Sequence, residues 1–359
     1  MPTTRDRAID HARGVASLIM IQGHAFHAWV SPAHKHDVDY LFTRIFATLP
    51  LPAFLVLSGA AVAYRARNAA RKEESCASLR KSLVSRGLQV AVIGYLVNIV
   101  YALMDGVDSL ETLLRADVLQ VIGLSIASLG LCAGGQSTIA QPKRLALRAI
   151  ALGTLVTLLC APLSQWSQAH GATTPWPLRV PLAAWVAIPE LTRMPYVPLF
   201  AWSAIGHLAG YSLAQTAPSA RMTRLWQLSA MALGLSVLCH YATSWALAGQ
   251  PLSRSHYAVV FNVLEYAGRG LLVLGLGPLL IVRLPARIAQ MFSNMGRASL
   301  WAYVFHIPFC YGRLGQSLYA RHSVLSALPY VLLLIAASYL VARVRLSWPQ
   351  LRASMRAGM

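Results

Sequence analysis

Ten apolar stretches succeed one another along the chain, at 14–32, 45–64, 87–104, 117–135, 145–163, 195–214, 225–247, 266–284, 298–315 and 323–342. A membrane-spanning helix needs about 20 mostly apolar residues, and these runs fit that length within a few residues at their ends. The pattern predicts an all-α, polytopic integral membrane bundle of about ten transmembrane helices. No internal repeat and no shift in composition divides it, so residues 1–359 are expected to form a single transmembrane domain. The basic start and first apolar run could pass for a signal peptide. His24 and His27 interrupt that run, however, and no clear small-residue cleavage site follows, so a retained first helix is expected.

That first run carries the most informative polar positions. From Arg13 to His24 a helix rises roughly 16 Å, about half the hydrocarbon thickness. The same steps, at about 100° each, return to within about 20° of the starting direction, so both side chains share one face. Asp10 and Ser17 fall near that face. A polar stripe in lipid must face protein, water or substrate. His24 therefore reads as a structural histidine bonded to a neighbouring helix, or as a general base or nucleophile. His306, closing Trp301-Ala302-Tyr303-Val304-Phe305-His306, lies roughly 13 Å along its helix from Arg297. Two histidines at similar depth, each with an arginine at the mouth of its helix, look like parts of one site; packing of polar residues at mid-bundle is the alternative.

Only 12% of residues are charged and 56% are apolar, a balance that soluble domains do not approach. The net charge of +19 raises nucleic acid as a partner, but its distribution argues otherwise. With a cytoplasmic N-terminus, about two thirds of the 31 Lys and Arg residues fall in the tails and alternate loops on that side. Arg65, Arg67, Arg71, Lys72, Arg80, Lys81 and Arg86 make the longest such connection. This is the positive-inside pattern for both termini in the cytoplasm, and it accounts for the charge without nucleic acid.

Three arginines on that side, Arg13, Arg86 and Arg297, could converge on an anionic ligand, since guanidinium binds phosphate through charge-assisted, often bidentate hydrogen bonds. Each alone also fits a topological anchor that snorkels. Near the opposite face stand Arg115, Asp117 and Gln120, together with Arg44, Glu265 and Arg269, which could bind an amino sugar or merely cap helices and pair at the interface. His207 and His240 are expected to be structural. The stretch from Ser164 to Met194 reads as a loop of about thirty residues holding Trp166, Trp176, Trp185 and the prolines 175, 177, 181 and 189; its tryptophans suit headgroup anchoring or carbohydrate stacking. Cys76, Cys132, Cys160, Cys239 and Cys310 show neither metal nor disulfide spacing, and the histidines lack paired spacing, so no metal is expected.

The segment Asp10-His11-Ala12-Arg13-Gly14-Val15-Ala16, with His24 following, resembles the first-helix signature of transmembrane acyltransferases, including the acyltransferase-3 family. The remainder is similar to the bacterial branch related to heparan-alpha-glucosaminide N-acetyltransferase. The resemblance rests on Phe42-Thr43-Arg44, Leu51 to Gly59, Ser85-Arg86-Gly87-Leu88, Val118 to Ser125, Pro195 to Ser203 with Gly210-Tyr211, and Met295 to Pro308, in order along nearly the whole chain. It implies transfer of an acetyl group from cytosolic acetyl-CoA to an amine or hydroxyl on the other face, with His24 at the position of the proposed catalytic histidine. Ala201-Trp202 departs from the proline-tryptophan pairing usual in relatives, which touches the acceptor end.

Residues and resemblance together give a CoA-dependent transmembrane acyltransferase without metal, expected in a bacterial inner membrane. His24 is the expected general base or, alternatively, an acetyl-carrying nucleophile; His306 would orient the acceptor or substitute in proton transfer. Arg13, Arg86 and Arg297 would hold acetyl-CoA, and Asp10, Arg44, Asp117, Gln120, Trp202 and Glu265 the sugar, glycan or glycolipid acceptor. A homodimer is left open. The rival readings are a transporter or flippase for a sugar lipid or acylated solute, although no inverted repeat is visible, and a catalytically silent scaffold.

Overall fold

The computed structural model describes residues 7–105, 113–134, 139–188, 191–247 and 255–357, and apart from isolated bridges their regular structure is helical throughout. In chain order the α-helices are α1 (Arg7–Trp29), α2 (Val38–Ala47), α3 (Pro50–Arg71), α4 (Cys76–Asp105), α5 (Val118–Cys132), α6 (Pro142–His170) and α7 (Trp176–Ala183). They continue with α8 (Tyr196–Gln215), α9 (Arg221–Leu247), α10 (Ser255–Ile281), α11 (Ala286–Arg297), α12 (Ser299–Cys310) and α13 (Val324–Ala357). Arg5, Arg254 and Pro189, which entered the reading of loop charge and loop composition, lie outside the described residues.

Six stretches are long and apolar enough to cross a membrane: Val38–Arg71, which joins α2 to α3, then Cys76–Met104, Pro142–His170, Pro218–Ala246, Tyr257–Ile281 and Val324–Trp348. The other four predicted runs take different forms. The first is α1, whose polar positions dilute its apolar character. The run at 195–214 becomes α8, with non-helical backbone at Val197. Those at 117–135 and 298–315 shorten to the 15 residues of α5 and the 12 of α12. At 1.5 Å per residue these rise only about 22 and 18 Å, less than the hydrocarbon thickness. The predicted long loop at 164–194 is also shorter than its sequence suggests. Helix α6 continues to His170, and α7 forms with Pro177 in its first turn, where the missing N–H of proline costs no helical bond.

By internal contacts the chain divides into two compact units, a central one from Leu51–Gly275 and a terminal one that combines Thr4–Pro50 with Leu276–Met359. In the central unit the helices approach along small residues. A Cβ on Gly87 would lie 2.5 Å from Gly123 O, and one on Gly123 the same distance from Gly87 O, so α4 and α5 touch backbone to backbone. Close packing of this kind is a principal source of helix association where lipid removes the hydrophobic drive. Helix α8 meets α3 in the same way at Gly59, Gly206 and Gly210. Tyr196, Phe200, Leu79, Leu83 and Leu129 fill the buried core beside these seams, and the Tyr196 hydroxyl donates to Ser128 Oγ at 2.8 Å.

The turn between α3 and α4 is fastened by an ion pair. Arg65 donates two hydrogen bonds to the Glu74 carboxylate, at 2.7 and 2.8 Å, and Ser78 Oγ adds a third at 2.8 Å. Glu74 O also accepts the Ala140 N–H at 2.9 Å, which ties the turn to the start of α6. The Arg65 hydrogen bonds hold the Glu74 carboxyl below its ordinary range. A carboxylate held low favours the folded state above its unfolded-state pKa, about 4.3, and loses that contribution as pH falls through the folded value. Between pH 6 and pH 4 the thermal midpoint of detergent-solubilised protein should therefore fall more for wild type than for Glu74→Gln; equal falls would show that the clamp adds no pH-linked stability.

Candidate active site

Helix α1 runs through the terminal unit and packs against α2, α11, α12 and α13. It is gripped at both ends. Near its start, α1 and α11 cross at glycines: a Cβ on Gly14 would overlap the Phe292 carbonyl, and one on Gly296 the Asp10 carbonyl. Near its end, the Trp29 indole N–H donates to Phe309 O at 3.1 Å, while Ala320 N–H donates to Ala28 O at 2.9 Å and His322 N–H to Trp29 O at 3.0 Å.

Between these grips His24 meets His306. Their rings lie nearly parallel, 16° apart, with His24 Nδ1 2.9 Å from His306 Nε2 across 282 residues of sequence. His306 is fully buried, and its Nδ1 is 2.8 Å from Ala302 O. A carbonyl oxygen only accepts, so Nδ1 of His306 carries the proton and Nε2 of the neutral ring is an acceptor. His24 Nδ1 must then donate to it. The remaining nitrogen of His24, Nε2, is left with an available lone pair on a ring that is only partly buried.

Around this pair stand two tyrosines that the sequence did not single out, together with the predicted Arg44. Tyr311 meets His24 edge-on with ring centroids 5.5 Å apart and contacts His27 at 6.2 Å. The Tyr40 hydroxyl is 3.5 Å from His27 Nδ1. Arg44, on α2, lies within electrostatic reach of both His24 and His27. Tyr311 follows His306 by five residues, just past the end of α12, and no periodicity in the chain marks it.

The other predicted residues divide between the two units. Asp10, Arg13, Arg44 and Arg297 belong with the histidines in the terminal unit; Arg86, Asp117, Gln120, Trp202 and Glu265 belong to the central unit. Asp10 is buried, Arg13 half-buried and Arg297 exposed, and both arginines adjoin the glycines of the α1–α11 crossing. Arg86 is exposed, next to the Gly87 seam. Asp117 and Gln120 form a capping box on α5: Asp117 Oδ1 accepts from Val118 N at 2.7 Å, and Gln120 Oε1 from Asp117 N at 3.2 Å. Their polar atoms serve the orphan N–H groups of a helix start. Trp202 is buried, donates to Val263 O at 2.9 Å and stacks on Tyr266. Glu265, 3% exposed, accepts from Arg269 and stands 3.1 Å from His240, so His240 has a carboxylate partner on the neighbouring helix. His207, fully buried, donates from Nδ1 to Gly59 O at 3.2 Å. Among the described residues no three His, Cys, Asp or Glu side chains form a group that could hold a metal ion.

Residues 5–249 match the family model of the heparan-alpha-glucosaminide N-acetyltransferase catalytic domain. The chain belongs to that family. No curated protein shows significant similarity to it. The matched part contains His24, Arg13 and most of the other predicted residues, whereas His306, Arg297 and Glu265 lie beyond it. The second histidine thus comes from a segment outside the N-acetyltransferase match, brought to the first by the terminal unit.

The hydrogen bonds of His24 and His306 give both rings the same tautomer. In protein labelled with ¹⁵N-histidine, with His24→Gln and His306→Gln used for assignment, both residues should show protonated Nδ1 and unprotonated Nε2. A protonated Nε2 on His306 would reverse the direction of the bond.

Proposed function

We propose that this protein transfers an acetyl group from acetyl-CoA to an amine or hydroxyl of a sugar or glycan, with His24 as general base and His306 as the residue that positions it. The single observation that carries the reading is the His24–His306 hydrogen bond at 2.9 Å, because it presents His24 Nε2 as a base. The family supplies the chemistry class, N-acetyl transfer.

In this mechanism His24 Nε2 removes the proton from the acceptor nitrogen or oxygen as that atom attacks the thioester carbonyl. The C–S bond breaks, and the proton passes from His24 to the departing thiolate, which leaves as coenzyme A. While His24 is an imidazolium, its Nδ1–H donates to neutral His306 Nε2, which keeps the ring aligned through the proton's residence. Proton transfer by a positioned side chain contributes typically 10²–10⁴-fold. Direct transfer fits this arrangement better than an acetyl-histidine, because holding donor and acceptor together supplies much of the rate without a covalent stage. Arg13 and Arg297, beside the glycine crossing, are assigned to the donor, and Arg44, within reach of His24, to the acceptor. Asp117, Gln120, Trp202 and Glu265 act in this reading through the cap, hydrogen bond and ion pair that shape the central unit.

Proteoliposomes supplied with labelled acetyl-CoA on one side and glucosamine on the other provide the test. His24→Ala should lose about 10²–10⁴-fold in turnover. His306→Ala should lower kcat with little change in the KM for acetyl-CoA and alter the pH profile, and His306→Gln, which restores an acceptor, should recover part of the loss. The double alanine variant should be little worse than the worse single, since groups acting as one unit are non-additive. Undiminished transfer by His24→Ala would refute the assignment.

We further propose ten crossings with both termini cytoplasmic, from the alternation of basic loops, with the short helices α5 and α12 crossing together with the non-helical residues that flank them or where the bilayer thins locally. Cysteines placed at Ser75 and at Gly171, in a background without other reactive thiols, should label with an impermeant reagent from opposite sides only. Labelling of both from one side would overturn the topology.

A further inference from the structure

We propose that Arg44, on the face of α2 that packs against α1, binds an anionic group of the acceptor, so that the substrate is an acidic sugar carrying a carboxylate or a phosphate; the inference rests on His24 acting as the base of an acetyl transfer. Two contacts fix where Arg44 stands. The Tyr40 hydroxyl is 3.5 Å from His27 Nδ1, and a Cβ on Gly23 would lie 2.9 Å from Ala47 Cβ. Positions 40, 44 and 47 recur at helical spacing on one face of α2, as 23 and 27 do on α1. The two helices therefore run antiparallel here, 40 opposite 27 and 47 opposite 23, and Arg44 falls between these contacts at the level of His24. It lies within electrostatic reach of both His24 and His27, and half-buried Lys35 within reach of His27.

The terminal unit has little acid to set against this arginine. Asp6, Asp10, Asp37 and Asp39 are the acidic residues in its sequence. Asp6 lies outside the described residues, and Asp10 is roughly 21 Å below His24 along α1. Asp37 Oδ2 is 2.8 Å from His34 Nδ1, and Asp39 Oδ1 accepts the Tyr40 N–H at 2.7 Å. Among the described residues Arg44 has neither a hydrogen-bond nor an ion-pair partner, although it is half-buried. A cation left in that state is costly, and a bound oxyanion offsets the cost through charge-assisted hydrogen bonds. Arginine's planar fork suits the oxygens of carboxylate and phosphate alike. The chemistry gains as well: while His24 holds the acceptor's proton, a bare Arg44 repels that charge, and an anion on Arg44 cancels the repulsion. Phosphates of coenzyme A and lipid headgroups offer the same oxygens. The place of Arg44 beside the base favours the acceptor, because the phosphates of coenzyme A lie a pantetheine arm away from the reacting carbonyl.

Full-length protein in phosphatidylcholine proteoliposomes, with saturating labelled acetyl-CoA, is assayed on glucosamine, glucosamine 6-phosphate and muramic acid, which carry no anion, a phosphate and a carboxylate. Wild type should favour at least one acidic sugar over glucosamine about tenfold or more in kcat/KM. Arg44→Gln should bring that ratio near one, and Arg44→Lys, which keeps the charge without the fork, should retain part of it. Calorimetric titration with the same sugars in the absence of donor should give the same order, in His24→Ala as in wild type, which separates the site from the chemistry. A ratio near one in wild type, or a ratio unchanged by Arg44→Gln, would overturn the proposal and leave the acetyltransferase reading standing. Arg44-dependent binding of an acidic sugar with no transfer by wild type would keep the site and overturn that reading; neither binding nor transfer would overturn both. If Arg44→Gln instead raises the KM for acetyl-CoA, the anion is a donor phosphate, and if its effect appears only with phosphatidylglycerol in the vesicles, it is a lipid headgroup; in either case the acidic-acceptor assignment falls.

Discussion

The position of α1 within the terminal unit is the constraint on which the His24–His306 geometry depends. A hydrogen bond of 2.9 Å between two side chains tolerates little slippage, and the partners here are 282 residues apart. The backbone contact at Gly14 and Gly296 fixes how near α1 and α11 can come, and the Trp29 and Ala28 hydrogen bonds fix where α1 ends. A helix held at one end could still rotate or slide; held at both, it presents His24 to α12 at one height and one angle. His306 is locked in turn by its own bond to Ala302 O. The order of the hydrogen bonds then follows without further choice, from carbonyl to His306 to His24.

Close approach governs the central unit too, though to a different end. Glycines on α3, α4, α5 and α8 let backbones touch, and Ser58, Ser203, Asp117 and Gln120 on these helices or at their starts spend hydrogen bonds locally. Ser58 and Ser203 both donate to Leu55 O, and the Asp117–Gln120 box closes the start of α5. In a medium without water each such group must find a protein partner. This explains why several polar residues that suggest a binding surface are engaged in building the bundle.

Much of this arrangement could be read from the chain alone, by counting. Helical rise from Arg13 and from Arg297 puts His24 and His306 at similar depths, and the all-helical class follows from the apolar runs. What counting misses is tertiary. The lengths of α5 and α12 depend on where caps and turns stop a helix, and the apolar run continues past those points. Tyr311 and Tyr40 reach the histidines through a helix end and a packed neighbour, neither of which leaves a periodic trace. The pairing of Asp117 with Gln120 three residues on is a recognisable helix-start pattern, yet a carboxylate beside a membrane span invites a substrate role just as readily. A side chain's residue type shows what bonds it can make, and only its neighbours show which of them are already made.

The identity of the residue behind His24 has a chemical consequence. A carboxylate in that place would stabilise a protonated imidazole strongly, but burying an anion beside a base that is neutral for most of the cycle costs several kcal/mol unless other donors surround it. A neutral histidine costs much less to bury, and it accepts the same hydrogen bond. Its support for the imidazolium is correspondingly weaker. Were His24 the base we propose, it would be suited to keeping a proton only briefly, and the proposed acetyl transfer from a thioester would supply a thiolate to receive it as soon as the C–S bond breaks. In the proposed mechanism the His24–His306 pair therefore suits a transfer in which the proton leaves with the same group that the acceptor displaces.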